Sequence, residues 1–492
     1  MTTVLGATRP HDDDGGAVTP GGSGDGRRRG PRLPGDLVAV LLAAALVAWA
    51  CVDGWAEIHR GVTILAGWPP LLADWLPHFA PGGITAVVVA LLVALAGPGV
   101  AARLRWGPLL GLAYVASAAW TLGLALIDGY QVGVVDRLTT PTEYLVEVRR
   151  FPGLGPFLTT FTDRIVGMTP DTLVTHSSGH PPLATLFYVW VGDLFGPGGE
   201  PAGLATLLLG ASAPVAVAVA VGALGGQRFG AAGARVGGRV ELLAPETVTA
   251  GRDLARRYLP FGVLVPGAVW VGVSADGMFA AVFAWGVAFL ALGAVRRGVL
   301  GATLCLLGGV VLGGALFLSY GLVAGGLVPI AVAVLVRRWS PLLAGAVGAA
   351  AVVGLFAYGG YWWLDGYEQV KLRYYQVGEY GLLRPYTYWV WANLAAFALA
   401  IGPAAVAGVR RLVWWPRRAP LAVVLLVGAV LLAVAAADVS GLSKSEVERI
   451  WLPFATWAVL ACAMLPPRSA RWWLLAQAAL AITVNSLLLT TW

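Results

Sequence analysis

The sequence predicts an all-α, polytopic transmembrane bundle of about 13 spans, and three observations carry that prediction. Apolar runs of about 20 residues recur along the chain, the length that crosses roughly 30 Å of hydrocarbon. Only 12% of the 492 residues are charged against 58% hydrophobic, about half the charged share of an ordinary soluble domain, and the mean hydropathy is +0.76. Short arginine-rich links alternate with the runs, the pattern of basic loops retained on the cytoplasmic side. The net charge of +7 and the pI near 9.5 are accounted for by those links. They imply a lipid bilayer as partner and no nucleic acid.

Taken in order, residues 1–35 are rich in Gly, Asp, Pro and Arg without apolar periodicity, which predicts a disordered cytoplasmic N-terminus. They lack the order of a signal peptide, so the first apolar run is expected to be a retained helix. GDGRRRGPR (24–32) keeps that end in the cytoplasm. Residues 36–492 are expected to form one transmembrane domain with no visible internal repeat. Its first spans fall at about 37–53, 83–100 and 107–127 by apolar length. An outer loop, 128–200, follows. Within it PPLATLFYVWVGDLF (181–195) opens a helix on its prolines, and the arginine links stay inside only if this helix is re-entrant or peripheral.

A further span at about 201–222 leads to a cytoplasmic link, 223–258, that sets Arg228, Arg235, Arg239, Arg252, Arg256 and Arg257 against Glu241, Glu246 and Asp253. Spans are then expected at about 259–274, 277–295, 299–318, 320–336, 341–361, 386–409, 420–437, 450–466 and 471–490. With them the links Arg296–Arg297, Arg337–Arg338, Arg410–Arg418 and Arg468–Arg471 all fall inside, and the C-terminus outside. Cys51, Cys305 and Cys462 sit in or beside apolar runs without metal spacing and read as inert thiols. Lysine occurs only at Lys371 and Lys444, the bias of a GC-rich, actinobacteria-like genome.

The outer stretch from Asp128 to Pro182 is too long and polar for a simple connection, and such loops are functional or disordered. It carries Asp128, Asp136, Glu143, Tyr144, His176 and His180. Asp276 stands between two apolar runs, where an ionisable group is costly unless solvated, paired or coordinating. It reads either as a solvated turn or as a second acid facing the cavity of the long loop. Glu143 fits a helix N-terminus as well as a catalytic acid. His176 and His180 have a helical zinc spacing. Gly179, Pro181 and Pro182 break that helix, however, and no third ligand stands near, so no metal site is predicted. Glu446, Glu448 and Arg449 open the twelfth span. Arg449, Arg384 and Lys371 offer donors for a phosphate, a role that suits the planar fork of arginine.

PTEYLVEV (141–148), HPPL (180–183), LFG (194–196) and the acid after LVPGAVWVGVSADG (264–277) stand in an order that resembles the GT-C superfamily of membrane glycosyltransferases. The branch resembled is that of protein O-mannosyltransferases and lipid A aminoarabinose transferases. The resemblance covers about residues 128–296, with topology and outer basic residues beyond. The sequence departs from the family in three ways: the loop follows the third span instead of the first, Thr142–Glu143 replaces an Asp-Glu pair, and His180 replaces a lysine. The catalytic acid therefore stays open between Glu143, Asp136 and Asp128, with Asp276 as counterpart.

The resemblance implies inverting transfer of a sugar from a polyprenyl-phosphate-linked donor to a glycan, lipid or protein acceptor of the cell envelope. The site would lie on the extracytoplasmic face of the plasma membrane. An acid would serve as general base, while His180, Tyr144, Lys371, Arg384, Glu448 and Arg449 would surround donor and lipid phosphate. No cofactor is required, and a divalent cation (Mg or Mn) is compatible. A transporter or lipid flippase is the rival reading and predicts polar groups near the bilayer midplane. A GT-C-like assembly protein without catalysis is the other.

Overall fold

Long apolar helices form because the runs hold Ala, Leu and Val with few interior breakers, and hydrocarbon leaves backbone groups no partner but their own helix. The computed structural model describes residues 34–491 except 168–169, 226–234, 237–238, 241–244, 273 and 378–379. Nearly all of the expected disordered segment 1–35 lies outside the described residues, as does much of the link 223–258. Among the described residues nine helices are long and apolar enough to cross a membrane, from Gly35–His59 to Leu421–Val439. Tyr320–Val336 and Leu452–Met464 are shorter apolar helices, and Pro245–Val263 and Ala470–Leu487 join the same bundle. The protein is an integral membrane helical bundle.

The helix ends define two faces. Arg103, Arg337, Arg411 and Arg468 mark one, and there Asp36 at the start of the first helix pairs with Arg410 (3.1 Å) and Arg411 (2.6 Å). The opposite face carries the long polar loop. Helices in this setting approach closely at small residues, since apolar burial alone gives no preference over lipid. At the crossing of Gly298–Leu316 with Ser340–Tyr358, a Cβ on Gly309 would lie 1.8 Å from the Gly345 carbonyl oxygen.

Two expectations are corrected here. The helix Pro245–Val263 begins inside the segment expected to be a cytoplasmic link, and the expected span 259–274 is broken, resuming as a single turn at Ala268–Val271. Pro266 supplies no N–H, and Gly267 lets the facing helix come close: a Cβ there would lie 2.9 Å from Leu452 Cδ2 and 3.2 Å from the Ala400 carbonyl oxygen. The Gly267 N–H instead donates to the Ala400 carbonyl at 2.8 Å. The helix Tyr386–Trp414 is itself kinked at Gly402, whose φ of 78° suits glycine. The buried Gln477 closes this break: its Nε2 donates to the Ile401 carbonyl (3.0 Å) and its Oε1 accepts the Ala404 N–H (3.3 Å). Interrupted backbone in the bundle interior is thus satisfied by protein, as hydrocarbon demands.

Leu183–Phe195 is held to the long polar loop at both ends. It starts beside His180, and the helix that follows starts at Gly199, where a Cβ would touch the Val135 carbonyl and Thr139 of the long loop. On the loop's face Ala73–Trp75 pairs antiparallel with Leu488–Thr490. Asp128 ties this corner together, accepting from Arg137 Nη2 at 2.8 Å and lying 2.7 Å from His78 Nε2.

Candidate active site

The long loop is folded by its own polar residues into short helices and turns. Glu147, the second acid of PTEYLVEV, is buried and accepts from Arg164 Nη2 (2.9 Å) and from the Val174 N–H (3.2 Å). It holds the two arms of the loop together. The Thr142 carbonyl accepts both the backbone N–H (3.0 Å) and the Nδ1–H (2.9 Å) of His176. That zips the turn carrying Glu143 to Thr175–Gly179. Leu145–Arg149 has no side-chain cap, so the carboxyl of Glu143 is directed elsewhere: its Oε1 lies 3.3 Å from His176 Nδ1.

Arg449 meets this pair from far along the chain. Its Nη1 donates to Asp276 Oδ2 at 2.6 Å, and its Nη2 reaches Glu446 Oε2 at 2.5 Å and His176 Nε2 at 3.2 Å. Arginine only donates, so His176 Nε2 is the acceptor and Nδ1 carries the proton. His176 is a neutral imidazole, and burial, with Arg449 adding to it, pushes its pKa down to about 3. Glu446 also accepts from Arg384 Nη2 at 2.8 Å. The chain Glu143–His176–Arg449–Glu446–Arg384 is continuous, and Asp276 joins it at Arg449. The solvated-turn reading of Asp276 does not hold: it is 2% exposed and ion-paired, in the first turn of Ala275–Ala294.

The segment holding Glu446 is strained. Ser445 (φ 72°) and Glu446 (φ 63°) are consecutive non-glycine residues in the left-handed region, at about 1–3 kcal/mol each. Asn393 compensates from the facing helix, its Nδ2 donating to the Ser443 carbonyl (2.8 Å) and to Asp438 Oδ1 (2.9 Å), its Oδ1 accepting the Ser445 N–H (3.2 Å). Lys444 Nζ donates to the Gly381 carbonyl at 2.7 Å. Strain kept in place by this many contacts marks a position that matters more than local comfort.

Electrostatically, the cluster separates its acids. Burial alone would raise Glu446, but Arg449 and Arg384 together hold it down at about 2. Burial lowers Arg449, and Asp276 and Glu446 more than offset that and raise it. Glu143 has no such direct arginine. Burial pushes it up to about 8, Arg449 drawing it back only in part and Asp276 pushing it further. Its Oε2 is buried without a hydrogen-bond partner. Glu448 is likewise buried and raised to about 7. Two populations result: acids committed to arginine, and acids poised to exchange a proton near neutrality.

Of the residues singled out from sequence, Glu143, Asp276 and Arg449 come together, with Arg384 joined through Glu446. Tyr144 and His180 border them: the Tyr144 hydroxyl lies 3.0 Å from His180 Nδ1, and the His180 ring is 5.3 Å from that of Phe279, one turn beyond Asp276. Asp128 belongs to the His78–Arg137 corner. Asp136 accepts from Gln131 Nε2 at 2.7 Å. Lys371 is half-exposed, pairing with Glu368 at 2.8 Å. His176, central here, reads in the sequence only as half of a zinc pair, and nothing in its spacing foretells an arginine partner. Among the described residues no group of three or more His, Cys, Asp or Glu side chains is placed to hold a metal ion.

No family model matches this chain, and no curated protein matches it. Among solved structures, the crystal structure of ArnT from Cupriavidus metallidurans in the apo state is similar at 17% identity with a TM-score of 0.36, covering 65% of this chain. The match spans 56% of the ArnT chain, little more than half its length.

Proposed function

We propose that the protein is a GT-C-type membrane glycosyltransferase that moves a sugar from a polyprenyl-phosphate-linked donor to a cell-envelope acceptor on the extracytoplasmic face. The observation that carries this reading is one side-chain cluster: a buried carboxyl at Glu143, one oxygen unpartnered, within two contacts of a doubly anchored guanidinium at Arg449. It sits on the face opposite the arginine links, where a lipid-linked donor would present its headgroup.

In this mechanism Glu143 takes the proton from an acceptor hydroxyl. The oxygen attacks the anomeric carbon from the face opposite the phosphate and a new C–O bond forms. The bond from the anomeric carbon to the phosphate oxygen breaks, and its electron pair leaves with the lipid phosphate. A base whose pKa lies near the working pH is best matched to that transfer, and Glu143 is raised to about 8. The developing phosphate charge is met by Arg449, with its fork already oriented by Asp276 and Glu446, so little reorganisation is needed as the bond breaks. His176, neutral, connects base and cation. His180 and Tyr144 border the same space, and Arg384 extends its positive side.

The transport reading expects unspent polar groups in the middle of the bundle. The side chain of Gln477 there is occupied by the breaks at Ile401 and Ala404, which favours catalysis. The test uses strains carrying Glu143→Gln or Asp136→Ala as the sole copy, with envelope glycans and glycolipids profiled by mass spectrometry. Loss of a general base lowers transfer by about 10²–10⁴-fold. We expect E143Q to lose the product and D136A to keep it. Unchanged glycans in E143Q at normal expression would overturn the enzymatic reading.

A further inference from the structure

The face opposite the candidate active site carries a second charged recess that the reaction does not use. A cavity of about 340 Å³ opens where the helices Ile84–Arg103 and Pro245–Val263 meet the link before Ala470–Leu487. Arg256 and Arg257 line it from adjacent positions of one helix, and Pro98, Ala102, Phe261 and Leu465 form its apolar walls. Both guanidinium groups are held in place by backbone. Arg256 Nη1 donates to the Leu104 carbonyl at 2.8 Å and also to that of Ala101, and Arg257 Nη2 donates to the Leu465 carbonyl at 2.9 Å.

Neither arginine forms an ion pair among the described residues, although Asp253 shares the rim. Carbonyls orient a guanidinium but do not neutralise it. The Arg256 carbon also lies 5.9 Å from the Trp106 ring centroid, with Arg252 at 5.7 Å on the same ring. The result is a preoriented, uncompensated double positive charge over an apolar wall.

The setting selects among anions. Trp472, 64% exposed, follows the lining residue Ala470, at the depth where tryptophan marks the headgroup layer. One turn before Pro98, Leu95 faces outward at 64% exposure, as a lipid-facing side chain does. A free phosphate would need donors all round, whereas here the recess turns apolar one side chain away from the arginines. Basic recesses between helices on the cytoplasmic side are suited to anionic headgroups.

We infer that this recess binds an anionic glycerophospholipid, its phosphate against Arg256 and Arg257 and its chains along Pro98, Ala102 and the outer side of Ile84–Arg103. The lipid would close the seam between the N-terminal helices and the rest of the bundle. This inference stands independently of the proposed reaction.

The test titrates full-length protein in detergent with dioleoyl phosphatidylglycerol and reads retained lipid by native mass spectrometry. Wild type retains it and does not retain dioleoyl phosphatidylcholine. The double variant Arg256→Gln, Arg257→Gln weakens retention tenfold or more. Arg337→Gln, Arg338→Gln removes the same charge elsewhere on that face and leaves retention within twofold. Should the first pair fail to fold, Ala102→Trp decides: it fills the mouth from an exposed position, keeps every arginine, and is expected to lose the lipid. Retention by A102W, equal loss in R337Q/R338Q, or displacement by millimolar inorganic phosphate would each overturn the assignment.

Discussion

Replacing Glu143 by Gln should cost the protein its activity and at the same time make it more stable, by an amount that depends on pH. The glutamate is buried with one oxygen unpartnered, and its pKa rises from an ordinary 4.5 to about 8 on folding. An acid raised in this way favours the fold fully below its unfolded pKa. That support is lost as pH climbs toward the folded value, and the loss levels off above it. At about 1.36 kcal/mol per unit, the penalty relative to a permanently neutral side chain is about 2 kcal/mol at pH 6 and about 4.7 kcal/mol at pH 9. Glutamine has the same shape and no charge to bury, so the unfolding free energy of E143Q minus that of wild type should grow by about 2.7 kcal/mol between those pH values. Denaturant titration in detergent, followed by tryptophan fluorescence, measures it. Taking the difference cancels the contribution of Glu448, which both proteins share. A difference that stays flat from pH 6 to 9 would refute the reasoning, because Glu143 would then be ionised at ordinary pH in the folded state. The same titration bears on catalysis: a base of this pKa predicts activity that rises through about pH 8.

Two further substitutions separate the cluster from its surroundings. Arg449→Met leaves Asp276 buried without its arginine and Glu446 with Arg384 alone, and should cost about 3–5 kcal/mol, visible as a lowered unfolding midpoint together with complete loss of transfer. An unchanged midpoint would mean that those carboxylates are solvated. Asp128→Asn should lower stability through loss of the His78 and Arg137 pairs while leaving activity per folded molecule near wild type. A tenfold fall in that specific activity would instead make Asp128 part of the reaction.

Membrane class and helical content were legible in the chain itself. Apolar run length and arginine placement are local quantities, and the bilayer acts on each segment separately. The stretch from Asp128 to Pro182 stood out for the same reason, as polarity where hydrocarbon would otherwise be expected. The breaks at Gly402 and Gly267 were not: the first depends on Gln477 arriving from a different helix to satisfy the exposed carbonyl and N–H, the second on the Ala400 carbonyl accepting the Gly267 N–H.

The sequence by itself determined which acids and arginines stand outside the long apolar runs. Only the tertiary structure decided which of them meet. Arg449 lies 173 residues from Asp276 and 273 from His176, and no periodicity reaches across such a gap. Glu143 and Glu147 stand four residues apart with similar neighbours, yet one is spent on Arg164 and the other faces His176 with an open oxygen. That division of roles comes from burial and from the charge that happens to be near, and both are properties of packing.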